Sequence, residues 1–258
     1  MALEGDALAH GLAKLGLTEG DVVLVHASLS GTGLDAATLR EALLTAVGED
    51  GTLVVPAFTT DNSDTSTAHL RRVAGMTPTQ AAAFRATMPA FDPATTPSTG
   101  MGRLAESVRT APGAVRSTHP QVSFAALGRR AEELLSAHPL NSHFGGDSPM
   151  GALYRAGARV LMINVGFSVC TAFHLAEYRT GAPERRYRCV VRGADGPEWT
   201  EYEDITLDDS DFGIIGDAFD AVDGNRVQKG QLGGTAARLF SIRDAVDHAV
   251  AWMTEKRP

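Results

Sequence analysis

The sequence predicts an α/β fold, and three features carry that prediction. Short apolar runs at 22–25, 52–55 and 160–165 have the length and branched composition of buried strands. Stretches with helical spacing of apolar residues, at 3–15 and 36–47, are interleaved with them. The strand–loop–helix–strand order across 22–55 is that of a parallel crossover unit, which is right-handed as a rule. A chain of 258 residues can bury a full core, and a single domain over 1–258 is expected.

The elements follow in order. Leu8, Leu12 and Leu15 share one side of the first helix, and Gly16 and Gly20 bracket the turn after it. His26-Ala27-Ser28 closes the first strand, and Gly31 and Gly33 loosen the next loop. Gly51 precedes the second strand. Open α/β sheets bind ligands beyond the carboxyl ends of their strands, which marks 26–28 and 56–64 as ligand-facing. Polar 59–68 and turn-rich 91–97 are expected as loops. A helix over 101–108, a strand over 122–127 and a helix over 129–137 come next. The 141–149 loop contains His143, Gly145, Gly146 and Asp147. A helix over 172–179 places His174, Glu177 and Tyr178 within about one turn. The stretch 185–192 alternates around Tyr187, Cys189 and Val191, as a half-exposed strand does. After Gly233 and Gly234, an amphipathic helix is expected to carry Leu239, Ile242, Val246 and Val250.

Charge narrows the function. The net charge is −8, which argues against sequence-independent nucleic-acid binding. The segment at about 193–225 holds eleven acids, Asp195, Glu198, Glu201, Glu203, Asp204, Asp208, Asp209, Asp211, Asp217, Asp220 and Asp223, and no Lys or Arg. Trp199, Tyr202, Phe212, Ile214, Ile215 and Phe219 anchor it. It reads either as a solvated face or as a carboxylate-rich, substrate-facing site for a polycation. No apolar run approaches the ~18 residues of a membrane span, and the first residues lack the basic start of a secretory signal. Two cysteines, Cys170 and Cys189, build no disulfide framework, so a reducing, cytoplasmic setting is expected.

Several familiar motifs are absent: the G-x-S-x-G elbow, the phosphate-binding Walker loop, H-E-x-x-H and paired C-x-x-C knots. No metal is expected. Gly31-Thr32-Gly33 is only a fragment of a dinucleotide fingerprint. His174, with Glu177 three residues on, has the makings of a general base at neutral pH or, more blandly, of a helix-surface pair. His26 ends a buried strand beside Ser28, where a phosphate or amide is held in many α/β proteins; a satisfied buried histidine is the alternative. His119 lies in a Pro-fixed turn and reads as a loop cap. His143 is open to two readings, facing a cleft or facing solvent.

Six motifs in order then combine. Val25-His26-Ala27-Ser28-Leu29 resembles V-H-x-S-(L/F), and Gly51-Thr52-Leu53-Val54-Val55-Pro56 resembles G-T-L-(V/M)-x-P. Phe91-Asp92-Pro93-Ala94-Thr95 resembles F-D-P-x-x-(T/S), and Ser117-Thr118-His119-Pro120 with Ser123 resembles S-x-H-P-x-x-S. Ser148-Pro149 follows His143 as in a loop ending S-P, and Thr171-Ala172-Phe173-His174-Leu175-Ala176-Glu177 is similar to T-x-x-H-x-A-E. Together they resemble the aminoglycoside 3-N-acetyltransferase, or antibiotic N-acetyltransferase, family across nearly the whole chain.

The resemblance implies the family's own α/β fold, distinct from GNAT enzymes, with a central mixed sheet flanked by helices. It implies acetyl transfer from acetyl-CoA to the 3-amino group of 2-deoxystreptamine aminoglycosides, conferring antibiotic resistance, by a monomer or homodimer. His174 takes the catalytic position. Its carboxylate partner is expected downstream, Asp220 before Asp209, with Glu177 the neighbour that spacing suggests. Cofactor contacts carry over to Ser28, Leu29, Thr118 and Ser123, and to His26. Asp61, Asp64, His143, Thr171, Glu201 and Asp204 are expected to face the cationic substrate. Arg71, Arg72 and Arg116 are candidates for the coenzyme A phosphates, and the sequence does not choose among them. Two other readings stay open: a family acyltransferase for another amine, such as a phosphonate metabolite, and a non-catalytic binder of cationic drugs.

Overall fold

The computed structural model describes residues 2–194, 196–222 and 226–257; Asp195 and Asp223 of the acidic segment lie outside the described residues. Nine strands are described: β1 (Val22–Ala27), β2 (Thr52–Pro56), β3 (Val115–Arg116), β4 (Phe124–Gly128), β5 (Arg159–Ile163), β6 (Glu184–Gly193), β7 (Gly196–Ile205), β8 (Val227–Leu232) and β9 (Thr235–Ser241). Seven form one mixed sheet in the order β3-β4-β2-β1-β5-β9-β8, and β6 and β7 form a separate hairpin. β1 lies parallel to both β2 and β5, as the crossover order predicts, while β4 and β9 add on antiparallel outside them.

The apolar run of β1 is explained by burial on both faces. Val22 and Leu24 pack into one core with Phe124, Met150, Val160 and Phe240, whereas Val23 and Val25 pack into the other with Leu12, Leu39, Leu53 and Leu161. Helices α1 (Ala2–Leu15), α2 (Ala36–Val47) and, later in the chain, α5 (Gly102–Arg109) cover the second face. Helices α3 (Thr67–Val73) and α4 (Pro78–Ala86) lie between β2 and α5 in sequence. The first face is covered by α6 (Ala131–Leu135), α7 (Pro149–Ala156), α8 (His174–Arg179), α9 (Phe212–Asp220) and α10 (Ile242–Lys256). Local chemistry sets several starts: Asp35 caps α2 by accepting from Thr38 N, and Ser148 followed by Pro149 opens α7.

Two expectations are corrected. Gly233 and Gly234, at φ +56° and +81°, do not lead into a helix; they make the two-residue turn of the β8–β9 hairpin, where positive φ at both positions suits glycine. Leu239 therefore belongs to β9, and the helix starts at Ile242, with Ser241 accepting from Asp244 N. The acidic segment is not a continuous wall either. Residues 196–205 are strand β7, paired along their length with the arginine-bearing β6. Arg186 and Arg188 lie 3.7–3.9 Å from Glu201 and Glu203, so neighbouring positive charge offsets much of the field.

The β6–β7 hairpin is stitched to the sheet's edge loops. Ser63 bridges to Cys189 and Phe91 to Val191, and Asn62 O accepts from Val190 N at 2.7 Å. Helix α9 seats close to a 3-10 turn at 167–169 because Gly216 has no Cβ; one there would stand 2.0 Å from Phe167. Cys170 and Cys189 are both free and buried, and burial pushes each thiol up to about 12, which leaves them protonated and inert at neutral pH. Among the described residues, no helix is long and apolar enough to cross a membrane.

Candidate active site

A cavity of about 720 Å³ opens where β1, β2 and β5 end, at the position an α/β sheet offers to ligands. Residues 26–31 at the end of β1 and after it, Val55 and Pro56 of β2, and residues 100–105 around the start of α5 line one part of it. Val165, Ser168, Thr171, His174, Asp209 and Phe212 line another.

His174 is the first residue of α8, presented by two successive 3-10 turns after β5. Its ring stacks on Phe144, with centroids 4.7 Å apart and planes 9° apart, and meets the edge of Phe212 at 4.7 Å. Nδ1 lies 2.6 Å from Glu177 Oε2. That contact fixes the tautomer with the proton on Nδ1 and leaves Nε2 as the ring nitrogen available to the cavity. Glu177 is fully buried, and its other oxygen accepts from Asp208 N at 2.9 Å and from Arg257 Nη1 at 2.7 Å. A buried carboxylate needs such donors on both oxygens.

The carboxylate that reaches the imidazole is thus Glu177, the one helical spacing suggests. Asp220, expected first, closes α9 and pairs with Lys229 at 2.8 Å; it does not line the cavity. Asp209, expected second, lines the same cavity as His174 and is exposed, but it is Glu177 that holds the ring.

The loop after β1 is braced from β5. Ser28 N donates to Ile163 O, and Asn164 Nδ2 donates to Ser28 O at 2.9 Å and Ser30 O at 3.3 Å. Asn164 sits at φ +55°, a left-handed conformation that asparagine tolerates better than most residues. His26 is 6% exposed, its Nε2 has no partner, and burial pushes it down to about 4, so it is a neutral imidazole. Arg103 reaches the cavity from α5 and donates to Leu29 O at 3.1 Å. Neither Asn164 nor Arg103 was expected from sequence. A single Asn after a strand carries no signal of its backbone angle, and Arg103 is one arginine among many.

The other expected residues divide cleanly. His26, Ser28, Leu29, Thr171, His174 and Asp209 share the cavity. Thr118 is exposed and Ser123 is buried under Ala57 O and Arg116; neither lines it. Arg116 donates to the carbonyls of Ala57, Pro93 and Thr96, and Arg72 lies over the Phe84 ring; neither of them lines the cavity, nor does Arg71, and among the described residues Arg103 is the arginine that does. Asp61 accepts from Thr99, Asp64 pairs with Arg188 at 3.3 Å, and Glu201 faces the β6 arginines; none of the three lines the cavity.

His143 and Asp204 form a second, buried arrangement instead. His143 donates to Asp204 Oδ2 from its backbone N at 2.7 Å and contacts the same oxygen through Nδ1 at 2.5 Å, and Tyr178 OH donates there at 2.7 Å. Burial alone would raise the Asp204 pKa, but these donors outweigh it and hold the carboxyl below its usual range. At 2% exposure His143 faces neither cleft nor solvent. His119 caps its loop as expected, Nδ1 accepting from Gln121 N and Val122 N.

Comparison with known proteins places the whole chain in one family. The sequence model of the family described as "Aminoglycoside 3-N-acetyltransferase" matches residues 24–254. Aminoglycoside N(3)-acetyltransferase VII of Streptomyces paromomycinus is 36% identical over 96% of this chain and 91% of its own. The crystal structure of YokD from Bacillus subtilis matches with a TM-score of 0.89 at 33% identity, covering 98% of this chain and 99% of that one. AAC-IIIb, solved as a binary complex with CoASH, matches with a TM-score of 0.84 at 29% identity, covering 98% of both chains. With a family model matched over residues 24–254, a curated relative 36% identical over nearly the whole chain and the fold of its solved relatives, the chain belongs to the aminoglycoside 3-N-acetyltransferase family of acyltransferases.

Proposed function

We propose that the protein transfers an acetyl group from acetyl-CoA to the 3-amino group of 2-deoxystreptamine aminoglycosides in the cytoplasm, with His174 as general base, and thereby confers resistance. The observation that carries this reading is the His174–Glu177 pair, one ring nitrogen held by a buried carboxylate while the histidine lines a cavity at the carboxyl ends of the strands.

The cavity fits the donor. The backbone of 28–31 together with Arg103 suits anionic phosphates. A relative of this fold solved with CoASH supports the same assignment. The thioester supplies an electrophilic acetyl carbonyl and a thiolate leaving group. The chain's residues do the rest. An ammonium has no lone pair to attack with, so Nε2 of His174 takes its proton. Glu177 keeps the Nδ1 proton in place and stabilises the imidazolium that forms. Ser28 and Thr171 offer hydroxyls for the developing oxyanion. Asp209, the acid on the cavity wall, attracts the remaining ammonium groups.

The test is thiol release from acetyl-CoA with gentamicin, apramycin and a phosphonate amine as acceptors, with NMR of the product. Turnover with the aminoglycosides and acetylation at the 3-amino group are expected. Turnover with the phosphonate amine alone would overturn the substrate assignment.

A further inference from the structure

Arg257, the residue after α10, does not line the cavity, yet it grips the catalytic pair from behind. Nη1 donates to Glu177 Oε1 at 2.7 Å. Nε and Nη2 clamp the Asp211 carboxylate at 2.9 and 2.5 Å, and Nη2 also donates to Asp208 O at 2.7 Å. Asp208 N in turn donates to the same Glu177 oxygen. One planar guanidinium thereby joins three segments: α8 through Glu177, the loop that carries Asp209, and the end of α10. Its own place is fixed from the core, because Ala245, Val246, Ala249 and Met253 of α10 are buried and Arg257 N donates to Met253 O at 2.9 Å.

We propose that Arg257 is a positioning residue for acetyl transfer. It divides the work of the Glu177 carboxylate, holding Oε1 so that Oε2 faces the imidazole, and it sets how tightly the His174–Glu177 pair binds a proton. The claim rests on the general-base reading of His174. The charged and titratable groups around the pair are Arg257 itself, Asp208 and Asp211 before α9, Asp209 on the cavity side and Tyr187 of β6, while Phe144 and Phe212 shield the ring. Of these groups, the charged ones other than Arg257 are acids. Removing this cation leaves the pair beside uncompensated carboxylates, which favours proton uptake by the imidazole.

Arg257→Gln and Arg257→Lys test this beside the parent and His174→Gln. Two readouts are used: the pH profile of kcat/KM, and an NMR titration of the His174 ring, assigned by its loss in His174→Gln and read without turnover. Arg257→Gln is expected to lower kcat about ten- to a hundredfold with little change in the acetyl-CoA KM. It is expected to move the acidic limb and the NMR midpoint up by about one pH unit. Arg257→Lys restores the midpoint but only part of kcat, because an ammonium cannot make the forked contact. A parental NMR midpoint in Arg257→Gln overturns the proposal, and so does a lowered thermal midpoint as its sole effect. Parental turnover in His174→Gln overturns the general-base reading alone.

Discussion

His174 Nδ1 and Glu177 Oε2 meet at 2.6 Å across a single turn of α8, a helix of six residues. Residues three apart on a helix share a face, so the backbone itself sets the pair. What separates it from a surface pair is its surroundings: a fully buried carboxylate and a ring packed between two phenylalanines. Glu177→Gln should therefore lower kcat by about 10²–10⁴, with a smaller effect on substrate KM, as measured by steady-state thiol release.

Asp209 lines the cavity, whereas Asp220 and Glu201 do not. Asp209→Asn should raise the aminoglycoside KM severalfold while sparing the acetyl-CoA KM. Asp220→Asn should leave both unchanged and cost at most about 1 kcal/mol in urea denaturation, the range of a partly exposed ion pair. A strong catalytic defect in Asp220→Asn would contradict this division.

Salt provides an independent check. If carboxylates attract a polycation, raising ionic strength should raise the aminoglycoside KM more than the acetyl-CoA KM. Because the β6 arginines pair with Glu201 and Glu203, the effect should shrink markedly in Asp209→Asn and persist in Glu201→Gln.

How far the sequence foretells this site depends on the kind of signal. The three inner strands and the helix bearing His174 are legible because continuous apolar runs and helical spacing follow directly from two-sided burial. The acidic segment misleads because charge was counted along the chain, whereas the acids of β7 are offset across a hairpin by arginines up to seventeen positions earlier, Arg186 and Glu203 being opposite in register. The Gly233-Gly234 turn misleads because paired glycines mark either a loop before a helix or a hairpin, and the alternation in 235–241 favours the latter. Arg257 and Asn164 carry no local pattern. Their roles arise only when distant segments are brought together.

Acid should weaken the fold through its buried histidines. His119 Nδ1 and His138 Nδ1 already accept hydrogen bonds, from two backbone amides and from Ser117, while each Nε2 faces a carbonyl, so neither ring has room for a second proton. Burial pushes His138 down to about 3, His26 to about 4 and His119 well below the ordinary value. The unfolded chain takes up these protons below pH ~6.5 and the native state does not, so stability is complete above that pH and falls as pH drops toward 3–4. Each histidine contributes a slope approaching about 1.4 kcal/mol per pH unit. Urea midpoints at pH 7 and pH 5 should differ accordingly, and equal midpoints would contradict the network.

The most direct test compares His174→Ala with the parent for acetyl-CoA thiol release in the presence of an aminoglycoside, alongside binding of both ligands by calorimetry. The variant is expected to bind both ligands with near-parental affinity and to turn over at least about a hundredfold more slowly, a loss typical of a missing general base. Near-parental turnover in His174→Ala would contradict the general-base reading.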